Sequence, residues 1–515
     1  MGRQLFYGFA VFVSSAAGLV IEIVAGRLIA PYVGMSLYTW TAIIAVVLAG
    51  LSLGHWVGGY LAAPHVDPKR GARRVAGALA AASVSSLAIL VLIRTVSGAL
   101  LASGIGMIPA IVLLTGLLFF LPSFFVGIVS PILTKLAIDS KPGAHGAVIG
   151  RMYALGTLGS IAGTLLAGYF FISWIGSVGT VIMVAGVYAA LALAFAIADP
   201  LRLMVLAGLA VGLGGLGTAG ATVEAFRNPC DRESDYFCIR VADFSPESGR
   251  DSALMVLDHL VHSINDRADP GLLYSPYIHF VDEMTKQRFG PELPPKAFFI
   301  GGGGYSLPRA WATDYLGLAD LTVAEVDPAV TEVATTKLWL DPTAPGLEIT
   351  HTDARLALQS LPRVPSFDVI FGDAFRDVSI PAHLVTAEFH REIKARLKPD
   401  GFYVVNVVDL GADPRFLFSL VRTLNRDFSQ VEVWRDTGEA GGPGRVTFIL
   451  LASDRPSAAG QLSARRGIPR TWRRWPPAQL AQAMAERAQD TPVLTDDFAP
   501  VDRLMAHILL SGEEF

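Results

Sequence analysis

Two unlike folds in one chain are predicted: an α-helical membrane bundle, followed by an α/β domain with a largely parallel sheet and a small β region at its start. Three observations predict this. A mean hydropathy of +0.47 with 17% charged residues is too apolar for an ordinary soluble protein of 515 residues. The charge is also divided, with 11 Lys and Arg against 4 Asp and Glu through Thr222 and 30 against 41 beyond it, which accounts for the net −4. Finally, the second half alternates short apolar strands with helical segments, and one such strand runs into the four glycines Gly301 to Gly304.

The first half, residues 1–222, holds apolar stretches near Leu5–Val24, Tyr38–Ala62, Val75–Ile93, Ile108–Ala137, Tyr153–Trp174, Val178–Ala198 and Leu203–Ala221. Each is about the 20 residues needed to cross a bilayer, so seven spans are expected. The fourth is long and contains Pro122 and Pro131, and the count becomes eight if it is a broken pair. The first carries Glu22 and continues past it, unlike a cleaved signal peptide. Glu22 and Arg27 near its end require a partner, an interior-facing role or an interfacial position. The spacings Gly156-x-x-Gly159 and Gly159-x-x-x-Gly163 suit close helix packing in lipid.

Basic residues set the orientation. Lys69, Arg70, Arg73 and Arg74 follow the second span, and Lys135, Lys141 and Arg151 lie between the fourth and fifth, which marks both loops as cytoplasmic. With seven spans the second half faces outward from the plasma (inner) membrane. The two cysteines, Cys230 and Cys238, follow the last span, where an oxidising compartment would pair them. Against this, an eighth crossing would return the domain to the cytosol. Nucleic acid is not an expected partner, because the acidic half has no Lys/Arg stripe interleaved with aromatics.

Residues 223–295 read as a linker and a small β region, with strands at Tyr236–Asp243 and Ser252–Leu257 around the turn-rich Ser245–Arg250. Residues 296–455 form the α/β core, with strands at Ala297–Ile300, Leu321–Ala324, Leu347–Thr350, Phe367–Phe371, Phe402–Val407 and Arg445–Leu451. Residues 456–515 form a C-terminal extension, in which the basic and aromatic Arg465–Arg474 reads as solvated surface.

The chemistry is carried by the order of short motifs. Gly301, Gly302, Gly303 and Gly304 permit positive φ and close ligand approach, and Glu325 at the end of the next strand can accept ribose hydroxyls. The succession Leu257-Asp258-His-Leu-Val-His262, Ile300-Gly-Gly-Gly-Gly304, Glu325-Val-Asp327, Asp353-Ala354 and Phe367-Asp-Val-Ile-Phe-Gly-Asp373 resembles the spermidine synthases, the polyamine aminopropyltransferases. The resemblance covers roughly Tyr236 to Leu451, and with the apolar front the chain is similar to membrane-fused synthase-like proteins. It implies a Rossmann-like S-adenosylmethionine-dependent transferase fold. It further implies that the glycines cradle the transferred end of the donor, that Glu325 holds the ribose with Asp327 beside it, that Asp353 and Ala354 contact the adenine, and that Asp373 is the catalytic acid. The implied reaction moves an aminopropyl group from decarboxylated S-adenosylmethionine to an amine, without a metal, and the family commonly dimerises. His351, His383 and His390 lack convergent metal-ligand spacing.

The acceptor side departs from the family. Gly304 stands where an acid usually grips the amine, Arg376 replaces a second acid, Tyr277-Ile-His279 lacks the following Glu, and His262 replaces a Gln. A diamine needs carboxylates at both ends, because burying an unpaired ammonium is costly. Asp377 can replace one of them, and Asp258, His262 and Tyr277 complete the expected acceptor contacts, with a small amine or a lipid-associated amine as acceptor. Arg309 and Arg376 would suit a carboxylate or phosphate. Two other readings therefore remain: an enzyme using S-adenosylmethionine itself for methyl transfer, aminocarboxypropyl transfer or cleavage, and a transporter or sensor with a degenerate synthase domain.

Overall fold

The computed structural model describes residues 2–62, 67–140, 143–197, 202–375, 380–438, 444–487 and 489–510. The chain divides into two compact units, Met1–Asp235 and Tyr236–Phe515.

Among the described residues of the first unit, six helices are long and apolar enough to cross a membrane. They begin with α1 (Gly2–Val33), α2 (Leu37–Leu61), α3 (Pro68–Leu101) and α4 (Met107–Asp139). The fifth runs for 52 residues, His145–Ala196, about twice what a bilayer needs. It comprises α5 (His145–Leu166), a π-helical turn Ala167–Phe171, and α6 (Ile172–Ala196), inside which Gly176 leaves helical geometry at φ 70° and ψ 172°. The expected fifth and sixth spans are therefore one helix broken at glycine, and their packing separates them: α5 lies on α1, and α6 lies chiefly on α3. The last is α7 (Arg202–Thr222). The prolines do not divide the fourth stretch, since Pro122 and Pro131 both lie inside continuous α4.

Small residues set these contacts. A Cβ at Gly159 or Gly163 would stand 2.2 Å from the Phe12 carbonyl oxygen or 2.1 Å from that of Ala16, so α5 can lie backbone to backbone on α1 only with glycine there. Arg27 donates from Nη2 to the Ser234 carbonyl at 2.6 Å, so this charge near the end of α1 has a backbone partner. A two-residue strand, β1 (Arg232–Glu233), ends the unit.

The second unit opens with β2 (Cys238–Asp243), the short α8 (Ser245–Ser248) within the expected turn, β3 (Ser252–Leu257) and β4 (Leu260–Asp266). β3 pairs antiparallel with both β2 and β4. After α9 (Pro276–Phe289) come β5 (Lys296–Ile300), α10 (Ser306–Asp314), β6 (Asp320–Ala324), α11 (Pro328–Lys337), β7 (Leu347–Thr350), α12 (Ala354–Ser360), β8 (Phe367–Gly372), α13 (Ala387–Lys394), β9 (Leu397–Leu410) and α14 (Arg415–Leu424). The unit closes with β10 (Gln430–Asp436), β11 (Arg445–Ser453), β12 (Gln461–Ser463), β13 (Thr471–Arg474), α15 (Pro477–Glu486) and α16 (Val501–Leu510).

One nine-stranded sheet has the order β12-β13-β10-β11-β9-β8-β5-β6-β7. Strands β7, β6, β5, β8 and β9 run parallel, and antiparallel β11, β10, β13 and β12 extend that edge. The strands read as near-continuous apolar runs because two separate cores cover the sheet, one containing Phe298, Ile370 and Phe389 and the other Phe299, Trp311 and Trp434.

The last segment is integral to this fold. Arg465–Arg474 is not simply solvated surface: Thr471–Arg474 is a strand of the sheet, and Trp472 is fully buried with its edge toward the His279 ring. An ion pair and a histidine–carboxylate contact fasten the remainder of the segment. Arg355 makes a bidentate pair with Asp496 at 2.8 and 2.7 Å, and His507 Nε2 lies 3.1 Å from the buried Asp409 carboxylate.

Candidate active site

Strand register builds the site. Ile300 stands beside Ala324 and Gly372, and Gly372 stands beside Val405. The next residue along each strand is then Gly301, Glu325, Asp373 and Asn406, a row at the C-terminal edge of four parallel strands. The chain leaves β5 toward β6 and β7 on one side and returns to β8 on the other, so Gly301 and Asp373 flank the point where the connection reverses. Ligands of open α/β sheets bind in the crevice at such a reversal.

The glycines serve different ends. Gly301 has φ 94°, and a Cβ there would stand 2.7 Å from the Asp373 carbonyl oxygen, so both conformation and space require glycine. Gly303 also has positive φ. Glu325 holds the loop: its Oε2 accepts the N–H of Gly302 at 2.8 Å and of Gly303 at 3.3 Å, and its Oε1 accepts the N–H of Asp327 at 2.9 Å. Burial pushes the Glu325 carboxyl above its ordinary value, and these N–H donors oppose that push. Oε1 has one backbone partner, which leaves acceptor capacity for a ribose hydroxyl.

Asp373 is enclosed by protein although part of its surface remains accessible. Asn406 Nδ2 donates to its Oδ1 at 3.0 Å, and the Tyr277 hydroxyl donates to it as well. Burial raises its pKa to about 6, with both hydrogen bonds pulling the other way. The phenol of Tyr277 is held far above the ordinary tyrosine range by burial and by the Asp373 charge, so it acts as a neutral donor. Tyr277 reaches this place because Ser275 and Pro276 start α9 there.

Asn406 was not among the residues expected from sequence. The available signal is one polar residue inside the apolar run Phe402–Val408, now seen buried. Replacing it by Leu removes a donor to the charged carboxylate, a loss of about one pK unit of stabilisation of the ionised form. The acid limb of the pH–rate profile for Asn406→Leu is therefore expected to move upward by about one unit. An unchanged limb would show that this bond does not tune Asp373.

Other expected residues have different employment. Asp327 caps α11, accepting Ala329 N–H at 3.0 Å, and is buried. Asp353 caps α12 through Arg355 and Leu356 N–H, and its second oxygen meets His383 Nε2 at 2.7 Å; Ala354 is buried behind it. Asp258 lies in the β3–β4 turn at φ 54° and accepts the N–H of Cys238, which gives it a structural task in place of an acceptor contact. Arg309 is turned to the protein itself, donating to the carbonyls of Trp339 and Arg267 at 3.2 Å each, so it does not serve as a free anion contact. His262 is held neutral, its pKa pushed to about 4 by burial. Gly304 has no room for the acid usual in the family, because its Cβ would meet Ser263 Oγ at 1.9 Å. Arg376 and Asp377 lie outside the described residues.

Among the described residues no His, Cys, Asp and Glu group has metal-binding geometry. His351 leans on the Glu325 carbonyl at 3.4 Å and His390 is fully buried. Both Cys230 and Cys238 are disulfide-bonded.

No family model matches the chain. It is 27% identical over 182 residues to a polyamine aminopropyltransferase of Vibrio vulnificus (strain CMCP6), covering 35% of this chain and 58% of that protein. It is 28% identical over 141 residues to one of Moorella thermoacetica (strain ATCC 39073 / JCM 9320), covering 27% and 47%. The chain thus spans about half the length of the curated relatives it matches. Among solved structures, a probable spermidine synthase from Corynebacterium glutamicum ATCC 13032 is 22% identical, with a TM-score of 0.44, covering 52% of this chain and 97% of that one. The chain is thus similar, over about a third of its length, to polyamine aminopropyltransferases, and the same polypeptide carries helices long and apolar enough to cross a membrane.

Proposed function

We propose that the chain is a membrane-bound transferase that moves the aminopropyl group of decarboxylated S-adenosylmethionine to an amine and releases methylthioadenosine. The observation that carries this reading is the Asp373 carboxylate beside Gly301, hydrogen-bonded by Tyr277 and Asn406 at the reversal point of the sheet. Glu325 would take the ribose hydroxyls, and the cap of α12 at Asp353 would face the adenine. The acceptor nitrogen attacks the carbon next to the sulfonium, the carbon–sulfur bond breaks, and the electron pair leaves on sulfur. A proton leaves the nitrogen, and Asp373 accepts it. The sulfonium is already a good leaving group, so the protein supplies alignment and an unprotonated amine.

An intact donor brings a carboxylate that needs a cationic partner, and of the two arginines expected to suit it, the one among the described residues, Arg309, is engaged on backbone carbonyls, which supports the decarboxylated donor. Calorimetric titration of the purified full chain is expected to show tighter binding of decarboxylated than of intact S-adenosylmethionine, by about tenfold or more. The reverse preference would move the assignment to an enzyme of the intact donor.

Counting the 52-residue helix broken at Gly176 as two crossings, which makes seven, we place the second unit on the extracytoplasmic side. The basic segments before α3 and around Lys135 to Arg151 favour the cytoplasmic side, and the bonded cysteines suit an oxidising compartment. In intact cells, Cys230 and Cys238 are expected to resist maleimide until a reductant is added; immediate labelling of the native chain would contradict this side.

A further inference from the structure

The first unit contains a polar cavity that the transfer reaction does not use. A space of about 110 Å³ among α1, α2, α4, α5 and α6 is lined by Ser14, Ser15, Ser123, Ser130, Ser160 and Tyr188, with Pro122 in its wall and His55 also lining it. Five serines, a phenol and an imidazole around one space in so apolar a bundle are costly unless something polar meets them. Tyr188 donates to the Ser14 carbonyl at 3.5 Å and Ser14 to that of Val11 at 3.2 Å, whereas the hydroxyls of Ser15, Ser123, Ser130 and Ser160 have no hydrogen-bond partner among the described residues. Pro122, having no N–H, cannot donate to the Leu118 carbonyl one turn back.

An acid lies on the same face. On α1, Ser15, Gly18 and Leu19 line the cavity, and Glu22 continues that stripe by helical spacing, about 6 Å of rise beyond Gly18. Glu22 is only partly exposed, and no hydrogen bond or ion pair engages it among the described residues. Hydroxyl oxygens in the wall, with one carboxylate a turn beyond Gly18 on α1, suit a single positive charge bearing N–H donors. The volume is in the range that holds one small molecule.

We propose that this cavity is a second binding site, for a small aliphatic monoammonium ion, with Glu22 as its counter-charge and the serine hydroxyls as acceptors. The site is independent of the reaction assigned to the second unit. It holds one charge and not two, because Glu22 is the one carboxylate next to its lining on α1 and, among the described residues, none stands in the wall itself.

The test is calorimetric titration of the detergent-purified full chain with butylammonium chloride, using sodium chloride as the blank. Saturable binding is expected in the native chain and in Asp373→Asn, weakened by about tenfold or more in Glu22→Gln. Ser160→Leu, which fills the cavity, is expected to weaken binding likewise while Glu22 remains. Monodisperse elution and a cooperative unfolding transition no lower than the native one would show that each variant is folded. Absence of saturable binding, binding indifferent to Glu22→Gln, or binding lost in Asp373→Asn alone would each overturn the proposal, the last by assigning the ammonium ion to the second unit.

Discussion

Replacing Asp373 by Asn is expected to lower aminopropyl transfer by about 10²- to 10⁴-fold while leaving adenosyl-ligand binding within a few-fold. The amide keeps the size of the carboxyl and can still receive the Tyr277 hydroxyl, but it cannot take a proton from the acceptor nitrogen. The same variant is expected to be more stable than the native chain. Burial raises the Asp373 pKa from 3.8 to about 6, so the folded state binds this proton more tightly than the unfolded chain does. The resulting stability is present below pH 3.8 and is lost as pH rises through 6. At pH 7.5 the native protein has lost on the order of 3 kcal/mol by this linkage, and the neutral amide avoids much of that loss. Thermal unfolding at pH 5 and 7.5 checks it: the advantage of Asp373→Asn should be larger at the higher pH. In the native enzyme the rate should fall as pH drops through about 6, because the base becomes protonated.

Glu325→Ala is expected to weaken adenosyl-ligand binding by about 100-fold or more. Two losses combine. The ribose hydroxyls lose a charged acceptor, worth about 1.5–3 kcal/mol per hydrogen bond. The N–H groups of Gly302 and Gly303 lose the oxygen that fixes the loop, so the positive-φ conformation must be reached on binding instead of beforehand. Titration with methylthioadenosine, which lacks the reacting group, isolates this effect from catalysis. Affinity within a few-fold of native would mean that the ribose lies elsewhere.

The donor half of the site was legible because it follows from strand order. Apolar runs ending at Ile300, Ala324 and Phe371 put Gly301, Glu325 and Asp373 near one edge once the strands are parallel, and the register in the sheet does bring them there. The acceptor half was less legible, because it depends on where side chains turn. Arg309 looked free for an anion, yet it is engaged by two carbonyls; Asp258 looked like a contact for an amine, yet a left-handed turn residue holding Cys238 accounts for it. Asn406 was hidden by the opposite effect, since its importance arises only when β9 lies beside β8.

Helix boundaries in the first unit show a similar division. Hydropathy identified the apolar stretches, but composition does not distinguish a loop from a helix that breaks at one residue. The boundary expected between Trp174 and Val178 is a single glycine with positive φ, and the prolines that left a broken pair open as an alternative are accommodated within continuous α4. In the C-terminal segment, the basic residues of Arg465–Arg474 concealed Trp472, whose burial follows from pairing with β10.

Incubation of the purified full chain with decarboxylated S-adenosylmethionine and a panel of primary amines, followed by mass spectrometry of methylthioadenosine and the alkylated amine, decides whether aminopropyl transfer occurs. Equimolar formation of the two products is expected, dependent on the amine and lowered by about 10²- to 10⁴-fold in Asp373→Asn. Consumption of intact S-adenosylmethionine with no methylthioadenosine from the decarboxylated donor, or identical product formation by Asp373→Asn, would contradict it.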